Sequence, residues 1–211
     1  MLLRASAEVA VGYLYVKVFE HIMHQYVLHG LGKNKESVWS FHFHDHHKAA
    51  TKHGMLDPAY FEPWWLNPSR AKEVGSLVGG VALHLPLAKK YPFFVATVAL
   101  GAANYYHKHK KSHMDPEWAW ENMQNHVKHH LLDQDAYWGV TSGWVDRLMG
   151  TAPEMSPEEW DESQQFYMRR YYETKEKAQE AAKERYKEHK EKFMGSLEGL
   201  TDKLYSFFER K

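Results

Sequence analysis

Residues 3–30 are largely apolar and run unbroken to His29-Gly30, which predicts one long helix with Gly30-Leu31-Gly32-Lys33-Asn34 as its stop. Residues 36–53 hold no Gly or Pro before Gly54, so a second helix is expected there. The segment 54–70, GMLDPAYFEPWWLNPSR, carries three prolines and reads as a loop. Its Trp64-Trp65 pair suits a membrane interface or the closing of a core equally well. Two short apolar segments follow, 74–88 and 91–106, separated by Lys89-Lys90 and Pro92. Each falls short of the ~20 residues that span a bilayer alone. They fit either a helical hairpin dipping into a membrane or a buried core pair.

Gly150-Thr151-Ala152-Pro153 closes this region, and from Ser156 the composition turns to Glu, Lys, Gln and Ala. Ser156 as N-cap, Pro157 at the first helical position and Glu158-Glu159 in the first turn predict a helix start. Helices are expected over 157–194 and 196–209. Widely spaced Trp160, Tyr167, Tyr171, Tyr186 and Phe193 leave the first of them a narrow apolar stripe. The expected fold class is therefore all-α: a helical bundle over residues 1–152 and a charged amphipathic helical extension over 153–211.

The 211-residue chain has 27 Lys plus Arg against 27 Asp plus Glu, a balance that argues against nucleic-acid binding. There is no cysteine, which removes disulfides, thiolate zinc sites and a Cys nucleophile. The N-terminal MLLRASAEVAVGYLYV does not have the order of a signal peptide, because Glu8 interrupts its apolar run. A mean hydropathy of −0.65 describes a polar chain overall, to which the charged tail contributes.

Histidine changes the picture. Fifteen of the 16 histidines lie between His21 and His130, and only His189 lies beyond. Residues three or four apart share a helix face, the spacing by which helices present metal ligands. His126, His129 and His130 form HVKHH, His109 and His113 form HKKSH, and His24 and His29 form HQYVLH with His21 one turn earlier. The stretch FHFHDHH at 41–47 adds His42, His44, His46 and His47. A lone histidine such as His84 on an apolar segment reads as structural. The conjunction of four clusters reads as a metal centre of imidazoles, which suit iron, zinc, copper or nickel.

The series HQYVLH, HFHDHH, HKKSH, HVKHH resembles the histidine boxes of the fatty acid hydroxylase/sterol desaturase superfamily. WVDRLMGT at 144–151 is similar to that family's closing segment, with one inserted residue and Met for Phe, and Trp39-Ser40-Phe41-His42 also resembles the family. The resemblance covers about residues 17–152. It implies two transition-metal ions, normally iron, with zinc the alternative in a purified sample. It also implies a membrane-associated helical bundle with its metal site facing the cytoplasm, a soluble cytoplasmic protein being the alternative. The implied activity is O2-dependent hydroxylation or desaturation of a C–H bond of a lipid or other apolar substrate, with an electron donor protein. By match the ligands are His24, His29, His46, His47, His109, His113, His126, His129 and His130.

The second box departs from the family at Phe43, where a histidine is expected. On a regular helix His42 lies about 40° from His46, and His44 about 60° from His47, so His42, His44 or both are expected to compensate. His53 and His107 are further ligand candidates, and Asp45, Glu20 and Asp115 are candidates to orient imidazoles. Two other readings stand beside the oxygenase. One is a non-catalytic, histidine-rich metal-binding subunit that meets a membrane or protein partner through 156–211. The other is a zinc hydrolase, whose three-ligand site nine or more histidines exceed, or a bis-His haem protein, which a strong Soret band would mark.

Overall fold

The computed structural model describes residues 2–209, with side chains described through Thr201. Eight α-helices and no strand are present among the described residues: α1 (Leu2–Ile22), α2 (Lys48–Lys52), α3 (Pro68–Ala82), α4 (Pro92–Met114), α5 (Pro116–Asn122), α6 (Gln124–Leu131), α7 (Trp144–Met149) and α8 (Pro157–Glu209). The all-α expectation holds. Local differences have local causes. Residues 33–39 are turns, so the second expected helix starts only at Ser40. The expected loop 54–70 contains a 3₁₀ turn, Pro58–Phe61, because the Asp57 carboxylate accepts from the Ala59 amide at 2.9 Å. It ends in α3, whose first turn is capped by Asn67 accepting from Ser69 and Arg70, both at 3.1 Å. The Ser156–Glu159 capping box forms in both directions, at 2.9 and 3.1 Å. Past it, α8 is one continuous helix of 53 residues rather than two.

Two stretches depart from α geometry. Met23–Leu31 continues α1 as a π-helix, and Phe41–His47 is π-helical before α2. The first carries His24 and His29, spaced by five, and the second carries the FHFHDHH stretch.

The apolar core lies off-centre. Met55, Trp120, Met123, Val127, Leu131 and Val140 pack together, joined from α8 by Trp160, Tyr167 and Met168. The centre of the bundle is polar instead. α1 packs along α4, the closeness permitted by Gly12 and Gly101; a Cβ on Gly101 would lie 2.7 Å from Val16. α1 buries Glu8, Lys17, Glu20 and His21. It exposes Val9, Val11, Leu14, Val18 and Ile22. Its polarity is thus inverted relative to a helix of a water-soluble bundle. Leu83 (81%), just past the end of α3, and Leu100 (71%) on α4 are exposed as well. Trp64 and Trp65 are both exposed, so neither closes the core. No helix among the described residues is long and apolar enough to cross a membrane.

Candidate metal centre

Nine histidines from four stretches meet in two adjoining groups. In the first, His24, His29, His42, His47 and His129 bring one ring nitrogen each to within 4.8 Å of one another, and His46, His109, His113 and His130 do the same in the second. All nine are buried. His126 borders the second group, its Nε2 2.9 Å from that of His113. The groups share a wall: the His47 and His130 rings stack at 4.0 Å.

The π-helical backbone explains the first group. Five residues along an α-helix turn a side chain about 140° away. Winding with i→i+5 hydrogen bonds instead sets residue i+5 above residue i. His24 and His29 therefore face one centre, and so do His42 and His47, with Nε2 separations of 3.0 Å (His24–His42), 2.9 Å (His29–His47) and 3.2 Å (His42–His47). This corrects the α-helical reading of FHFHDHH. His42 partners His47, not His46, and His46 serves the second group. His44 is not in either group; its Nε2 bonds the Lys33 carbonyl at 3.0 Å. His42 alone answers for Phe43. On α4 and α6 the α-helical spacings hold: His109 and His113 face the second group, while on α6 His129 faces the first and His126 and His130 the second.

What lies behind five of the rings sets their tautomer. His24, His113 and His129 place Nδ1 2.7 Å from the carbonyls of Trp138, Met55 and Ala136. A carbonyl only accepts, so each Nδ1 carries the proton and each Nε2 presents a lone pair. His46 Nδ1 donates to Asp57 at 2.7 Å, and His109 Nδ1 to Glu73 at 2.8 Å. Arg70 pairs with Glu73 at 3.0 Å, and the Tyr60 hydroxyl donates to Glu73 at 2.9 Å. Burial pushes Asp57 up, against the pull of Arg70. Burial also acts to raise Glu73, but Arg70 and His109 outweigh it and hold the carboxyl below its ordinary range.

The outcome is a concentration of lone pairs. The Nε2 atoms of His46 and His109 confront each other at 3.2 Å with both ring protons committed elsewhere. A proton does not relieve this at His46, because burial, and then His113, hold its pKa well below the usual value. Burial also lowers His24 to about 3 and His29 to about 2. His42, His47, His113, His126, His129 and His130 are held well down for the same first reason. Buried imidazoles converging on two points are the donor set of a metal ion. Nitrogens on neighbouring positions around an ion at ~2.1 Å lie about 3.0–3.4 Å apart, depending on geometry. The ring nitrogens named above lie 2.9–3.3 Å apart. The two groups can hold metal ions.

A loop organised by Asp146 supports the first group. The Asp146 carboxylate accepts from the amides of Trp138 (2.7 Å) and Gly139 (2.8 Å), from Thr151 Oγ1 (2.8 Å) and from Asn125 (3.0 Å). That fixes the segment whose carbonyls receive His129 and His24. Glu20 holds the same loop through the Thr141 amide at 2.7 Å, not an imidazole directly. Asp45 instead bonds Ser69 at 2.7 Å, and Asp115 caps α5 through Trp118 at 3.1 Å. Neither orients a histidine. His53 and His107 belong to neither group, and His107 is exposed. Asp57, Glu73, Tyr60 and Arg70 escaped the sequence reading, since no spacing links residues 57–73 to His46 or His109. Within the closing segment WVDRLMGT only the resemblance drew notice to Asp146.

His24 and His42 also line an apolar cavity of about 130 Å³ between α1, α3 and α4. No protein-family model matches this chain, and no curated protein and no solved structure matches it.

Proposed function

We propose that this chain is a non-haem dimetal oxygenase, di-iron in function, that hydroxylates or desaturates a C–H bond of a lipid or other apolar substrate. The observation that carries the reading is the pair of adjoining buried imidazole groups, in which five rings place Nδ1 on an outward acceptor and turn Nε2 inward. Two ions bound side by side supply the electrons and Lewis acidity that dioxygen activation requires. The protein's own residues do the rest. His24, His29, His42, His47 and His129 would hold one ion, and His46, His109, His113 and His130, with His126 beside them, the other. Nδ1–H donation to Trp138, Ala136, Met55, Asp57 and Glu73 keeps Nε2 of His24, His129, His113, His46 and His109 free to bind. Nine or ten imidazoles exceed what a hydrolytic zinc site uses.

The inverted polarity of α1 and the exposed Leu83 and Leu100 support a seat on a membrane surface, from which an apolar substrate is drawn. An electron donor protein completes the reaction. One observation favours a second reading, a non-catalytic metal-binding subunit: α8 exposes Phe193, Met194, Leu197 and Leu200, a face for a membrane or protein partner.

The test is anaerobic reconstitution with iron, followed by metal analysis and oxygen consumption. The proposal expects about two ions per chain and substrate-dependent oxygen uptake. A purified chain that retains almost no transition metal after iron supplementation overturns it. Full metal with no oxygen uptake on any lipid class moves the reading to the subunit.

A further inference from the structure

Loop 54–62, behind the second histidine group, carries backbone strain. Gly54 and Met55 both take left-handed backbone angles, φ +59° and +83°. Glycine adopts that conformation freely, but for methionine it persists only where the surroundings enforce it. Met55 is fully buried, and its carbonyl accepts from His113 Nδ1 at 2.7 Å. Two residues on, Asp57 accepts from His46 Nδ1 at 2.7 Å, and the Asp57 amide donates to the His113 carbonyl at 3.0 Å. The Tyr60 ring stacks on that of His113. One strained loop thus sets two imidazoles of the second group.

The C-terminal extension supplies the enforcement. α8 lies across the turn Pro58–Phe61. Tyr167, Tyr171, Ala178, Arg185 and His189 fall on one face of it, spaced by four and seven. A Cβ on Gly54 would collide with the Tyr167 carbonyl, and Tyr171 and Ala178 pack on buried Leu56. Arg170 Nε donates to the Lys52 carbonyl at 2.9 Å, just before the loop. At the loop's far end the Glu62 side chain is wholly buried. It pairs with Arg185 at 3.0 Å and accepts from His189 Nδ1 at 2.8 Å, both on α8, and from Asn67 at 3.3 Å. A buried carboxylate stripped of such partners is strongly unfavourable and draws water to itself.

We propose that α8 is a strap for the second metal site: Arg185 and His189 clamp Glu62, keep loop 54–62 in its strained form, and thereby set how firmly the ion beside His46 and His113 is held. All three are positioning residues, and none belongs to either histidine group. The proposal rests on the metal-centre reading for the ion; the clamp on the loop stands without it. The first group is fastened by Asp146 and Glu20 instead, so the strap should spare it.

The test uses the full-length protein, metal-free and cobalt-loaded. The Arg185 and His189 side chains are 45% and 26% exposed, so Arg185→Ala/His189→Ala removes the clamp without opening the core. In the metal-free double variant the Asp57 and Tyr60 amides should exchange with deuterium at least about tenfold faster. In equilibrium dialysis the second ion, identified as the one whose cobalt spectrum Asp57→Asn alters, should be held about tenfold less tightly. The first ion should keep its retention and its spectrum. Adding Glu62→Gln to the double variant removes the unpaired charge and should recover much of the lost retention, which general loosening by two alanines would not allow. Unchanged exchange at Asp57 and Tyr60, equal loss of both ions, or no recovery with Glu62→Gln overturns the proposal. Exchange also separates the two readings. Wild-type protein that retains no metal, with faster loop exchange in the double variant, would sink the metal centre and leave the strap on the loop standing. Full metal in the wild type, with exchange unmoved by the double substitution, would do the reverse.

Discussion

The two histidine groups adjoin but are held differently. Behind the first lie backbone carbonyls, Trp138 and Ala136, on a loop fastened by Asp146 and Glu20. Behind the second lie carboxylates, Asp57 and Glu73, tied to Arg70 and Tyr60, together with one carbonyl from Met55. A carbonyl fixes the tautomer and the ring angle. A carboxylate does that and also makes the imidazole more electron-rich. The carbonyl-held group borders the apolar cavity, and the carboxylate-held group does not. The contrast teaches that each group is fastened by what its neighbourhood supplies: Arg70 compensates the carboxylates behind the second, and a loop tied down by Asp146 and Glu20 presents carbonyls to the first.

The largest expected effect comes from erasing the boundary between the groups. His47 lies 2.9 Å from His29 and stacks on His130. His47→Ala should lower retention of both ions more than about 100-fold, beyond what loss of a supporting partner costs; equilibrium dialysis with iron or cobalt measures it. Loss of one ion alone would show that the groups are independent.

Acid comes next, through the metal-free protein. His24 and His29 ordinarily titrate at 6.5 but are lowered in the fold to about 3 and about 2. Above pH 6.5 both folded and unfolded chains hold them neutral, so their contribution is flat. Below it the unfolded chain takes up protons that the fold refuses, so stability falls as pH drops from 6.5 toward about 3. Denaturant midpoints measured across that window should decline steadily, and saturating metal should raise them throughout it. A flat profile would mean that these rings are not buried neutral.

Smaller, and aimed at the contrast itself, are changes behind the rings. Asp146→Asn should weaken the ion of the first group about 10–100-fold, and Asp57→Asn that of the second by a similar factor. The spectra of the cobalt-loaded variants should change at one ion each. If either substitution altered both ions equally, the division between carbonyl-held and carboxylate-held groups would fail. The smallest effect belongs to His44→Gln. Its ring bonds the Lys33 carbonyl outside both groups, so metal content should be unchanged and stability within about 0.5 kcal/mol.

Much was legible in the chain alone. The Ser156–Glu159 start, the all-helical character, and the i, i+3 and i+4 histidines of α4 and α6 follow from local rules, because capping and α-helical periodicity involve only neighbours in sequence. The crowding at 41–47 announced a site without revealing its shape. Whether His42 turns to His47 or to His46 depends on the π winding of the backbone, and that winding is decided by what the segment packs against. The same holds for the four residues behind the second group. Asp57, Tyr60, Arg70 and Glu73 reach His46 and His109 only because loop 54–57 docks on α4, through the Asp57 amide to the His113 carbonyl at 3.0 Å and His113 Nδ1 to the Met55 carbonyl at 2.7 Å. Sequence by itself determined which side chains are available as ligands, since periodicity and composition are properties of the chain. Tertiary structure alone decided how they divide into two groups, what holds each ring and which group faces the cavity, because those are contacts between residues far apart in sequence.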